Sequence, residues 1–69
     1  MPLTMAVSGE INTIKQIGGK DETKRFLERL GFVEGGQVQV ISKVSGNLIV
    51  NVKDTRIALS KSMANRIMI

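Results

Sequence analysis

Ser60 and Lys61 are the nearest this chain comes to a catalytic pair, a hydroxyl beside an amine that could take its proton. Adjacent residues in a helical turn point apart, so the two do not converge on one reacting atom. Histidine and cysteine are absent from all 69 residues. The chain thus lacks the side chain that titrates near neutral pH unaided, the thiolate nucleophile, and two common metal ligands. Paired carboxylates would need two acids held together, and Asp21 and Glu22 are better used to start a helix. Gly18-Gly19 ahead of that helix has neither the longer glycine spacing nor the lysine–serine ending of a nucleotide loop. The residue types point away from an enzyme, and no cofactor is required.

The elements around these residues are clearer. Asp21 caps a short helix, with Glu22 in its first turn and Arg29 in its last, both suiting the helix dipole. Phe26, Leu27 and Leu30 form its apolar stripe, and Gly31 stands where a left-handed cap ends it. Ile11, Ile14 and Ile17 span a first strand whose uneven spacing calls for a bulge or burial on both sides. From Gln37 onward the pattern alternates. A three-residue Ser45-Gly46-Asn47 loop pairs Val44 with Leu48 and Val40 with Val52, gathering the large apolar groups on one side. A two-residue Asp54-Thr55 turn then pairs Val52 with Ile57 and sets Lys53 opposite Arg56. Residues 60–64 read as one helical turn and residues 66–69 as a last short strand. The expectation is a mainly β fold: a small barrel of about five strands with one inserted α-helix and a helical turn near the C-terminus. Closure would hide the strand edges of so short a chain.

A single domain over residues 1–69 is the reading that length supports. With neither disulfides nor thiolate metal sites available, aliphatic packing must hold it together. No apolar run approaches the ~18 residues of a membrane span, and the N-terminus lacks the order of a signal peptide, so a cytoplasmic location is expected. The formal net charge of +4 is spread without a dense run. A basic tip at Lys53 and Arg56 keeps RNA or DNA binding in view. Phe26 and Phe32 are the only aromatics available for stacking, which disfavours that alternative. A self-associating module is a further alternative, since uncovered apolar strand faces can pair with copies of themselves. A protein–protein surface suits the residues best. In the expected register Ile41 and Ile49 lie on the face opposite the valine core, and the Leu30-Gly31-Phe32 corner could project an aromatic anchor.

Leu27-x-x-Leu30-Gly31-Phe32-x-x-Gly35, the Val38/Val40 strand, Arg56-Ile57-Ala58-Leu59 and the ending Ala64-Asn65-Arg66-Ile67-Met68-Ile69 occur here in order. Together they resemble the ferrous-iron transport protein A family (FeoA) over nearly the whole chain. The resemblance implies an SH3-like β-barrel and a non-enzymatic cytosolic accessory of bacterial ferrous-iron uptake. Its implied partner is a FeoB-type transporter, met at its G-domain or cytoplasmic segments, so that the protein is peripheral to the membrane through that partner. Ferrous iron and transition-metal binding enter by family association alone. One departure is visible: proline usually precedes the second glycine of the turn, and Glu34 stands there, adding a charge to the candidate contact edge with Gly35.

Overall fold

The structure, a computed structural model, describes residues 1–19 and 21–69. A 3₁₀ turn over Leu3–Met5 opens the chain, followed by β1 (Ile11–Thr13) and β2 (Gln16–Ile17). Helix α1 (Glu22–Leu30) precedes the meander β3 (Gln37–Val44), β4 (Asn47–Val52) and β5 (Thr55–Ser60); α2 (Lys61–Ala64) and β6 (Ile67–Met68) complete it. The expected first strand is two strands that serve different sheets. One sheet has the order β1-β3-β4-β5, and the other pairs β2 with β6. Among the described residues the fold is thus mainly β and broadly SH3-like, with six strands in two sheets rather than a closed ring of about five.

Helix α1 forms where its end signals place it. Asp21 Oδ1 accepts from the Thr23 N–H at 3.1 Å, and Gly31 takes the left-handed conformation at φ 111°. The Phe32 N–H donates to Leu27 C=O and the Gly31 N–H to Glu28 C=O, both at 3.0 Å. This crossed pair of bonds is a Schellman ending, which brings the residue after the glycine back against the last turn.

Both hairpin turns differ from the expected ones. Ser45-Gly46 is a two-residue turn with positive φ at both residues, so Val44 faces Asn47 and Lys43 faces Leu48. The register shifts between Val40 and Ser42, so that Val40 faces Val50 and Val38 faces Val52. A bulge at Ile41 therefore does what the longer loop was expected to do: it absorbs one residue and keeps the valines together. Val44 is turned outward and left 54% exposed. The second turn is Lys53-Asp54, both at positive φ, which spares Thr55 a conformation that β-branched residues resist. Val52 pairs with Thr55, Val50 with Ile57, and Arg56 with Asn51. That register is two residues from the expected one, so the faces are preserved while the pairs change.

One core runs through the molecule. Leu27, Phe32, Val38, Val40, Leu48 and Val50 are buried within it, joined by Leu3 and Ala6 from the N-terminal segment and Ile67 from β6. Leu30, Ile57 and Met63 pack at its margin. Residues 1 and 69 meet beside β6: the Met1 ammonium donates to Ile69 C=O at 3.0 Å and the Ile69 N–H to Met1 C=O at 2.7 Å.

Candidate docking surface

Phe32 is fully buried, at 0% exposure, so it belongs to the core and does not project as an anchor. Gly31 beside it is buried and Leu30 is half-buried. A β-carbon on Gly31 would stand 3.4 Å from Lys53 Cδ, so the lysine stem lies across the end of α1. Glu34 and Gly35 are exposed in the turn that feeds β3, where the Gly35 N–H donates to Ile14 C=O at 2.8 Å. The corner thus offers Leu30, Glu34 and Gly35 to solvent, with Phe32 withdrawn into the core.

The outer face of the four-stranded sheet is the more apolar surface. Two residues of a bulged strand oppose one on its neighbour, so Ile41 and Ser42 together face Ile49. Both isoleucines are half-buried. On the same face Ile11 is 63% exposed and pairs with Gln39, which in turn pairs with Asn51. Gln37, Gln39, Asn51 and Ile11 line a shallow recess of about 170 Å³. That is well below the ~300 Å³ at which small-molecule sites begin, so the face suits a broad contact better than an enclosed ligand.

The expected pairing of Lys53 with Arg56 does not occur. Lys53 is in the turn, Asp54 follows it, and Arg56 faces Asn51 across the ladder. Residue 53 leans toward α1 while residue 56 stands on the sheet, so the tip is not a concentrated cationic site.

Ser60 caps α2, its Oγ accepting from the Met63 N–H at 3.3 Å, which commits the hydroxyl to structure. Among the described residues no three Asp or Glu side chains gather as a metal would require, and the chain has no histidine or cysteine to add. Among the same residues no helix is long and apolar enough to cross a membrane.

Phe26, expected in the helix stripe, is 47% exposed. The inward positions are Thr23, Leu27 and Leu30, spaced i, i+4, i+7, and Phe26 stands one residue to the side. The Schellman ending was the signal for Phe32: it brings that residue against Leu27, and such contacts are hydrophobic.

The FeoA domain model matches residues 1–69. Among solved structures, an iron uptake regulatory protein (FeoA) is 28% identical with a TM-score of 0.88, covering 97% of this chain and 89% of that one. FeoA of Stenotrophomonas maltophilia, solved with zinc and described as a prokaryotic SH3-domain protein and proposed ferrous-iron transport activating factor, is 30% identical. Its TM-score is 0.87, with 99% of this chain and 87% of that one covered. A manganese-dependent transcriptional repressor shares the fold alone: 18% identity, TM-score 0.87, 97% of this chain and 39% of that one. No curated protein matches in sequence.

Proposed function

This chain belongs to the FeoA domain family, and on that premise we propose that it is a non-enzymatic accessory of bacterial ferrous-iron uptake. It docks to a cytoplasmic part of a FeoB-type transporter and biases the transporter's nucleotide state or assembly. The observation that carries this reading is the family match across residues 1–69, joined by relatives described as an iron uptake regulatory protein and a transport activating factor. The site chemistry is consistent with it, since the Ser60 hydroxyl is spent on a helix cap. Iron is the transporter's cargo in this reading, and the accessory needs no metal site of its own.

Docking uses the outer sheet face around Ile11, Ile41 and Ile49, with the Leu30, Glu34 and Gly35 corner as its secondary contact. Ile11 is exposed and Ile49 only half-buried, so both can be charged without opening the core. The test is a titration of the protein against the soluble G-domain and cytoplasmic segments of a FeoB-type transporter, with a generic RNA as control. Saturable binding to a transporter fragment, weakened by Ile11→Lys and Ile49→Lys while circular dichroism is unchanged, is the expected result. Binding to RNA alone, falling steeply with salt, would overturn it.

A further inference from the structure

The charge of this chain is divided unevenly along it. Residues 1–34 hold five lysines and arginines against five acids, whereas residues 35–69 hold five against one, Asp54. The whole excess of +4 therefore belongs to the half that begins with β3. Three of those five cations, Lys53, Arg56 and Lys61, lie in β5 or at its two ends, and all are exposed.

β5 is also an open edge. Only β4 lies beside it, and among the described residues no loop or turn backbone hydrogen bond reaches residues 55–59. The Lys53-Asp54 turn decides which groups are left free. A two-residue hairpin closes on a hydrogen-bonded pair, here Val52 with Thr55, and every second pair, Val50 with Ile57 and Leu48 with Leu59, repeats it. Arg56 and Ala58 occupy the alternate positions, so their N–H and C=O groups point away from β4. Both residues are exposed. Ile57 between them is half-buried at the margin of the core.

We propose that the β5 edge receives an extended acidic segment of a partner protein as an added strand. The backbone of that segment pairs with Arg56 and Ala58. Its side chains alternate, acidic ones meeting Arg56 on the outer face and apolar ones extending the core layer beyond Ile57. The same cations repel a second copy of β5, which selects a foreign acidic strand over self-pairing. The inference concerns the edge alone and stands whether or not the transporter is the partner.

The test is an amide-resolved NMR titration of the ¹⁵N-labelled protein with an acetylated peptide of alternating valine and glutamate. Its controls are a valine–lysine peptide and the glutamate peptide N-methylated at every second residue. Saturable shifts and slowed hydrogen exchange at the Arg56 and Ala58 amides, with glutamate peptide alone, are expected. Ala58→Pro removes an outward N–H without touching the β4 ladder and should weaken binding roughly tenfold, the worth of one hydrogen bond. Arg56→Glu should weaken it similarly and keeps the test decisive if the proline variant does not fold. Equal binding of the lysine or N-methylated peptide, no binding of the glutamate peptide, or undiminished binding by Arg56→Glu would overturn the proposal. Protection of the same amides by dimerisation without peptide would overturn it too, making a second copy the occupant.

Discussion

Gly31 meets two demands at one backbone position. It ends α1 with φ 111°, and it turns the chain so that Phe32 enters the core against Leu27. A β-carbon there would stand 3.4 Å from a flexible lysine stem, so space is not the main obstacle. Conformation is. Gly31→Ala should cost about 1–2 kcal/mol through the left-handed penalty, seen as a lower midpoint in urea with an unchanged slope. Phe32→Ala removes a fully buried ring and should cost about 3–5 kcal/mol. A domain of 69 residues has roughly 3–10 kcal/mol in all, so this variant should lose a third or more of its stability and melt well below the parent by circular dichroism. If it melts with the parent and loses only partner binding, Phe32 is a contact residue after all.

At the scale of elements, the hairpin turns hold the most room for improvement. Ser45 carries φ 43° ahead of Gly46, a position that suits asparagine better than serine. Ser45→Asn should therefore raise stability by about 0.5–1 kcal/mol, read as a higher thermal midpoint. The turn also explains what the sequence could and could not show. Helix α1 was legible because Asp21 and Gly31 act within one turn of the chain, through bonds that any such sequence would make. The β3–β4 register was not, because strict alternation admits only one loop length while a bulge lets a shorter loop serve. Whether residue 41 is squeezed out depends on neighbours across the sheet, among them Gly9, whose N–H donates to Val40 C=O at 2.7 Å. Local pattern carries no record of that contact. The outer sheet face was legible in the same measure. Ile41 and Ile49 were placed on the outer face correctly, since the bulge leaves both on it. Ile11 was missed, because its place opposite Gln39 depends on pairing between distant segments.

For the molecule as a whole, chain order and spatial order are only loosely tied. Residues 1 and 69 exchange two hydrogen bonds, and Pro2 bridges Met68. The Ser45-Gly46 turn, by contrast, is exposed. A circular permutant that joins 69 to 1 through a short glycine–serine linker and opens between Ser45 and Gly46 should recover the parent circular dichroism spectrum and a cooperative melt. Loss of the cooperative melt would show that the covalent hairpin, and not the β6 corner, holds β3 to β4. The same closeness governs how the protein can be handled. A label, bead or surface attached at either end arrives at a single corner, so two probes placed there report on one another and say little about the rest of the domain.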